Sequence, residues 1–180
     1  SSFLKGTEIA IPMIIQMVSI GLIGVSLWAY LGFTSELATY IAIGTFLSYV
    51  VTGGFMQSIG RKGLQYLAWD NPPLAKKGVY KIYRGGAYAV LIIGLLFALI
   101  IWLINSFSLN RLILITLSYY FMLSFLWLNL SVLYVSKKIL GTIISTSLPI
   151  IVILILLAKD INIIPAQIAG LFVSNVISFF

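Results

Sequence analysis

The chain has 180 residues, of which 61% are hydrophobic and only 8% are charged, and it carries a formal net charge of +7. Its mean hydropathy of +1.13 indicates a protein solvated mainly by lipid, because a soluble domain of this length cannot bury so much apolar surface. Histidine and cysteine are both absent, which excludes disulfides, thiol nucleophiles, His or Cys metal sites and haem ligation.

Six apolar segments are long enough to cross a bilayer, because about 20 residues at about 1.5 Å each span a hydrocarbon core of roughly 30 Å. Apolar side chains lie on all sides of these segments, so no strand period stands out and a β-barrel is disfavoured. The predicted spans cover residues 9–31, 37–57, 87–104, 112–135, 139–158 and 163–180. The sequence therefore predicts an all-α membrane protein in which residues 1–180 form one domain of six transmembrane helices.

Basic residues are distributed unevenly between the two sides of these spans. Two of them, Arg111 and Lys159, fall on one side. The other nine are Lys5, Arg61, Lys62, Lys76, Lys77, Lys81, Arg84, Lys137 and Lys138. Because cytoplasmic loops are enriched in Lys and Arg, we expect a multi-pass protein of the cell membrane with both ends of the segment in the cytoplasm. Membrane topology and anionic lipids on the cytoplasmic face account for the net charge, so we expect no nucleic-acid partner.

The longest connection between predicted spans is a basic amphipathic cytoplasmic loop at residues 58–86. Residues 70–73, which read Asp-Asn-Pro-Pro, predict a turn, and the flanking segments 61–69 and 74–83 predict short interfacial helices. The basic residues expected to contact lipid headgroups are Arg61, Lys62, Lys76, Lys77, Lys81 and Arg84. The alternative is that this loop binds a lipid-linked anionic substrate directly.

Small residues recur at close spacing in three spans. These are Gly44, Ser48 and Thr52 in the second, Thr142, Ser145 and Thr146 before Pro149 in the fifth, and Ala166, Gly170, Ser174 and Ser178 in the sixth. Small residues let helix backbones approach closely, so we expect these stripes to be packing seams.

Uncharged amides are the most polar groups available inside the spans. An amide in hydrocarbon requires a partner, so these side chains are the candidates for a hydrated substrate pathway. They are Gln16, Gln57, Asn129, Gln167 and Asn175. A packing role within the helix bundle is the alternative for each.

The four acidic residues do not form a catalytic pair. Glu8 and Asp70 belong to the cytoplasmic side and Glu36 and Asp160 to the other, so general acid–base chemistry has no pair of groups at one place. We expect no enzyme activity, no catalytic residue, no bound metal and no cofactor.

Two stretches of the sequence, at residues 53–61 and 125–131, together form a pattern of motifs. The second span runs into residues 53–61 (Gly-Gly-Phe-Met-Gln-Ser-Ile-Gly-Arg), which precede a basic stretch containing Asp70. Residues 125–131 (Phe-Leu-Trp-Leu-Asn-Leu-Ser) lead to a short turn at residues 137–138 and a fifth helix that starts near Gly141. This pattern resembles the multidrug/oligosaccharidyl-lipid/polysaccharide (MOP) flippase superfamily, in particular its polysaccharide-exporter branch with Pel-transporter-like members.

The resemblance implies one six-helix lobe of a transporter with two such lobes related by pseudo-symmetry. It implies export or flipping of a polysaccharide or lipid-linked glycan by alternating access around a central cavity. We therefore expect the chain to be the N-terminal lobe of a longer protein, with a second six-helix lobe or other membrane subunits as partners. The alternatives are a six-helix substrate-binding subunit of a small-molecule importer and a structural subunit of a larger membrane complex.

Overall fold

The computed structural model describes the backbone of residues 2–104 and 110–179 and the side chains of residues 12–103 and 110–179. This part of the chain contains six α-helices and no strand. The helices are α1 (Ser2–Ile23), α2 (Ser35–Ala68), α3 (Pro72–Ile104), α4 (Arg111–Val135), α5 (Ile139–Leu157) and α6 (Ile163–Phe179). The side chains of Lys5 and Glu8, which entered the charge analysis, lie outside the described residues.

Four of the helices, α2, α3, α4 and α5, are long and apolar enough to cross a membrane. The segment Pro12–Ile23 of α1 and the whole of α6 are shorter apolar helices. The predicted all-α architecture is confirmed, with six helices in the described residues, while six complete membrane spans stay a prediction.

The first helix ends eight residues earlier than predicted. α1 stops at Ile23, and Gly24 has a φ of +78°, a left-handed conformation that glycine adopts without a steric penalty. The chain then folds back on itself, since Val25 pairs with Tyr30 and the Ser26 N–H donates to the Ala29 carbonyl at 2.8 Å. The prediction of a helix up to Leu31 is wrong, because a run of apolar residues also suits a compact turn buried inside a bundle. We call residues 24–30 the buried turn.

The predicted loop at residues 58–86 is also wrong, because α2 and α3 continue through it as a helical hairpin. The two helices have 34 and 33 residues, about 50 Å each, against a hydrocarbon core of roughly 30 Å. Residues 58–69 are rich in helix-forming side chains and contain no proline, so the helix has no reason to end at the membrane surface. The basic residues therefore lie on extensions of α2 and α3 rather than on separate interfacial helices.

The predicted turn between these two helices is confirmed. Asp70 has a φ of +52°, and the N–H groups of Asp70 and Asn71 donate to the carbonyls of Leu67 and Tyr66, which closes the end of α2. Asn71 Oδ1 then accepts from the N–H of Leu74 at 3.1 Å and caps α3. The same two residues thus end one helix and begin the next.

α4 is the central helix of the bundle, and it packs against α2, α3, α5 and α6. One apolar core joins α4 with the buried turn, α5 and α6, and a second joins it with α2 and α3. Within the described residues, α3 packs extensively against α2 and α4 alone, and it leaves many large apolar side chains exposed, such as Leu95, Leu96 and Leu103. These surfaces have the character of lipid-facing sides.

The three stripes of small residues are buried packing seams, as predicted. A Cβ atom added at Gly44 would lie 2.6 Å from the Thr116 carbonyl oxygen on α4. One added at Gly170 would lie 2.7 Å from Ile153 on α5, and the Ser174 hydroxyl donates to a backbone carbonyl of α5. Backbones approach here at distances that only a missing or short side chain permits.

Successive helices run in opposite directions, so most of the basic residues lie at one end of the bundle. The start of α2 lies beside the start of α4, since Thr116 Oγ1 donates to the Tyr40 carbonyl, and Gly63 lies against Val135 near their other ends. The end that contains Gly63 and Val135 is called the basic end. It carries Arg61, Lys62, Lys76, Lys77, Lys81, Arg84, Lys137 and Lys138. Arg111 and Lys159 lie at the opposite end.

Candidate functional site

Gln167 and Gln16 hold the buried turn in place. The Gln167 side chain is fully buried at the start of α6, and its Nε2 donates to the carbonyls of Ser26 at 2.8 Å and Ala29 at 3.0 Å. Its Oε1 accepts from the Tyr119 hydroxyl. Non-helical backbone inside a membrane bundle must have its polar groups satisfied by the protein, and Gln167 supplies two of those partners.

The Gln16 amide completes this network from α1. Its Oε1 accepts from the Leu27 N–H at 2.9 Å, and its Nε2 donates to the Thr146 carbonyl on α5 at 3.3 Å. Ser19 adds a further bond from its hydroxyl to the Val25 carbonyl at 2.6 Å. Gln16 is therefore bonded on both sides of its amide by backbone groups.

Asn129 and Asn175 form a second polar network, between α3, α4 and α6. Asn129 Oδ1 accepts from the Tyr83 hydroxyl at 2.8 Å, and its Nδ2 donates to Asn175 Oδ1 at 3.3 Å. Asn175 Nδ2 in turn donates to the carbonyls of Met122 and Leu171. Sequence reasoning did not single out Tyr83, because a tyrosine beside an arginine suits a headgroup-facing position equally well.

Gln57 differs from the other four amides. Its side chain is exposed, and within the described residues the amide makes no hydrogen bond. It lies in a groove of about 570 Å³ between α2, α4 and the neighbouring parts of α1 and α5, which we call the α2/α4 groove. The groove is also lined by Tyr49, Gly53, Trp127, Ser131 and Tyr134.

Trp127 also lines this groove, and it carries a buried polar group that has no partner within the described residues. The side chain is only 6% exposed, yet its Nε1–H has no acceptor in the part of the chain that the structure describes. Buried polar groups in native proteins nearly always have a partner, so the unpaired indole N–H sets Trp127 apart from the other residues that line the groove. Sequence reasoning missed Trp127, because a tryptophan in an apolar helix carries no distinguishing signal.

An aromatic cluster lies at the deep end of the α2/α4 groove. The ring of Trp127 is 5.6 Å from that of Trp28 in the buried turn and 6.0 Å from that of Tyr49 on α2, centroid to centroid. Distances of this size are typical of tilted and edge-to-face aromatic pairs. The buried turn thus places Trp28 against the residue that forms the end of the groove.

The other end of the α2/α4 groove is positively charged. Arg61 on α2 and the pair Lys137 and Lys138 between α4 and α5 line it, and all three side chains are exposed. Sequence reasoning used these residues for topology and assigned headgroup contact to Arg61. The structure brings the three cations to one groove.

A second cavity, of about 840 Å³, lies between α3, α4 and α6 at the basic end, and we call it the α3/α4/α6 cavity. Asn129 and Tyr83 line its interior, and Lys76 and Lys77 line it from the first turns of α3. Of the five predicted pathway residues, the structure therefore places Gln57 on one cavity and Asn129 on another. The side chains of the other three, Gln16, Gln167 and Asn175, form hydrogen bonds inside the bundle.

The six residues predicted to contact headgroups are all exposed on the hairpin of α2 and α3. Arg84 donates to the Tyr88 hydroxyl at 3.3 Å and lies 5.8 Å and 5.9 Å from the ring centroids of Tyr80 and Tyr88. An arginine flanked by tyrosines is typical of a membrane interface. Headgroup contact by these residues stays a prediction.

Models of protein families, curated proteins and solved structures were compared with the chain, and none matched it.

Proposed function

We propose that the protein is a membrane transporter, or one lobe of it, that exports or flips a polysaccharide or lipid-linked glycan by alternating access, with the α2/α4 groove as part of the substrate pathway. The observation that carries this proposal is the exposed Gln57 amide, which lines the groove and makes no hydrogen bond within the described residues. An amide both donates and accepts hydrogen bonds, so it suits a hydroxyl-rich substrate.

The remaining lining of the groove supports a glycan that carries negative charge. Trp127, Tyr49 and Tyr134 offer amphipathic aromatic rings, on which the apolar faces of sugar rings can stack. Arg61, Lys137 and Lys138 at the basic end suit a phosphate or carboxylate group, which charge-assisted hydrogen bonds hold strongly. A substrate with a charged group at one end and sugars at the other matches this order of residues.

Alternating access requires the groove to be reached from one side of the membrane at a time. In the described structure the aromatic cluster of Trp28, Tyr49 and Trp127 borders the deep end of the groove, whereas exposed cations border the other. This arrangement supports access from the basic end in this conformation. We propose that displacement of the buried turn accompanies access from the opposite side, where a second lobe completes the pathway.

Replacement of Gln57 by leucine tests the proposal. The full-length protein is reconstituted into liposomes with a fluorescently labelled polyprenyl-diphosphate disaccharide, and flipping is followed as loss of fluorescence to a membrane-impermeant reductant. Gln57→Leu is expected to lower the flipping rate about 5-fold or more, since one hydrogen bond contributes about 1 kcal/mol. Its melting temperature in detergent should stay unchanged, because the amide bonds nothing in the described protein.

Gln65→Leu is the matched control, since it removes an exposed amide from the same helix outside the groove. It should leave both flipping and melting temperature unchanged. Equal flipping by the two variants and the unmodified protein would remove Gln57 from the pathway. Failure of the unmodified protein to flip the probe would instead contradict the substrate class.

A further inference from the structure

The α3/α4/α6 cavity has a size and a lining that differ from those of the α2/α4 groove. Its volume of about 840 Å³ falls within the range of about 300 to 1,000 Å³ that is usual for ligand pockets. Leu67, Val79, Val132 and Val135 form much of its wall. Tyr80, Tyr83 and Phe179 also line it, so most of its lining is apolar or aromatic and suits a hydrocarbon chain.

The polar groups inside this cavity are already hydrogen-bonded within the protein. Tyr83 donates to Asn129, Asn129 donates to Asn175, and the Ser178 hydroxyl donates to the Asn175 carbonyl at 3.1 Å. An apolar chain can lie against partnered groups without the penalty of leaving a donor or acceptor unsatisfied. The interior of the cavity is therefore compatible with a hydrocarbon occupant.

The mouth of the cavity is positively charged. Lys76 and Lys77 line it and are exposed, and no acidic side chain lines the cavity within the described residues. Asp70 in the nearby hairpin turn is exposed and lies outside the lining. Basic pockets between transmembrane helices on the cytoplasmic side suit anionic lipid headgroups.

We propose that the α3/α4/α6 cavity binds one anionic phospholipid of the surrounding bilayer, with an acyl chain between α3, α4 and α6 and the phosphate beside Lys76 and Lys77. This site is separate from the α2/α4 groove, and the inference does not depend on the transport function. Two features support this occupant: the lysines at the mouth complement its negative charge, and the interior is apolar, with its polar groups already hydrogen-bonded within the protein.

The test measures retained lipid by native mass spectrometry of the full chain, after extraction from bilayers of equal parts phosphatidylglycerol and phosphatidylcholine. The unmodified protein should retain one phosphatidylglycerol in preference to phosphatidylcholine. The double variant Lys76→Gln/Lys77→Gln should lower that preference about 30-fold, since each lysine near a membrane surface contributes about a 5-fold attraction. The double variant Arg111→Gln/Lys159→Gln, which removes the same charge at the opposite end of the bundle, should retain the preference.

Two bulky substitutions test the position of the acyl chain. Val132→Phe fills the interior of the cavity, and Ser136→Trp narrows its mouth from an exposed position at the end of α4 that does not affect the core. Each should abolish the retained lipid, while Val50→Phe on the exposed side of α2 should not.

Several outcomes would overturn the inference. Retention of phosphatidylglycerol by both Val132→Phe and Ser136→Trp would show that the lipid lies elsewhere. Equal retention of the two lipids would contradict the role of the lysines. A lipid-free cavity in the unmodified protein would contradict the proposal directly. None of these results depends on whether the protein flips a glycan.

Discussion

Gln167 lies near the start of α6, fully buried, and carries its amide into the interior of the bundle. Two groups that would otherwise be unpaired bond to it, namely the carbonyl of Ser26 and the hydroxyl of Tyr119, and the Ala29 carbonyl, which also accepts from the Ser26 N–H, bonds to it as well. Gln57 has the same side chain but none of these partners. The environment of an amide, rather than its residue type, therefore decides whether it supports the fold or remains available to a ligand.

Replacement of Gln167 by leucine should destabilise the protein strongly. The change leaves the Ser26 carbonyl and the Tyr119 hydroxyl buried without partners, at a cost of about 1 to 3 kcal/mol each, and removes one of the bonds to the Ala29 carbonyl. The melting temperature in detergent should fall by about 5 °C or more. Gln65→Leu, at an exposed position of α2, is the control and should leave it unchanged. An unchanged melting temperature for Gln167→Leu would mean that the buried turn does not need this amide.

The chemistry of the amides could be predicted from sequence, but their partners could not. Gln167 and Ser26 are 141 positions apart, and no local pattern reports contacts of that kind. For the same reason Trp127 passed unnoticed, since its unpaired N–H is a property of the packed bundle. The sequence offered Gln57 as one of five candidates, and the hydrogen bonds of the other four set it apart.

Helix boundaries were predictable where turn chemistry was explicit. The predicted spans 112–135, 139–158 and 163–180 agree with α4, α5 and α6 to within one residue at each end. Positive φ at Lys137 and Asp160 closes α4 and α5, in short polar connections that interrupt the apolar runs. The buried turn contains no such polar signal, so hydropathy did not locate the end of α1. The hairpin of α2 and α3 is longer than a bilayer is thick, so hydropathy did not locate the end of α2 or the start of α3 either.

The seam between α2 and α4 gives a prediction for these two elements. Gly44→Ala should destabilise the protein, because the added Cβ would lie 2.6 Å from the Thr116 carbonyl oxygen, and a backbone atom on a neighbouring helix cannot rotate away. Separating the helices also loses dispersion contacts along the whole seam. The measurement is the melting temperature in detergent.

Gly54→Ala on the same helix is the control, since nothing lies within 4 Å of a Cβ built there. It should leave stability unchanged or raise it slightly, because alanine favours helices by about 1 kcal/mol over glycine. Equal melting temperatures for Gly44→Ala and Gly54→Ala would contradict a close-packed seam at Gly44.

At the scale of the whole molecule, most of the basic residues and the positively charged parts of both cavities lie at the same end of the helix bundle. Eight basic residues of the described chain lie at the basic end, and both cavities have their cationic lining there. Enrichment of Lys and Arg on the cytoplasmic side predicts that this end faces the cytoplasm. With that orientation the aromatic cluster lies toward the outer side of the α2/α4 groove, and the proposed access is from the cytoplasm.

Single cysteines can test orientation and access together, because the chain has none of its own. Asn110→Cys at the start of α4 and Ala68→Cys at the end of α2 mark the two ends, and both positions are exposed. A membrane-impermeant thiol reagent outside intact cells should label Asn110→Cys but not Ala68→Cys. In inside-out vesicles the pattern should reverse, and labelling of Ala68→Cys from outside cells would invert the orientation.

Gly53→Cys reports on the α2/α4 groove itself, since open space surrounds a Cβ at that position. It should react in inside-out vesicles, together with Ala68→Cys, and stay protected in intact cells, because the aromatic cluster borders the groove on the outer side. Adding Trp28→Ala removes the ring that packs on Trp127 and should admit the reagent from outside. Trp69→Ala, at an exposed tryptophan in the hairpin, should not. Equal labelling of Gly53→Cys from both sides without Trp28→Ala would mean that the aromatic cluster does not close the groove, and alternating access through it would then need a different barrier.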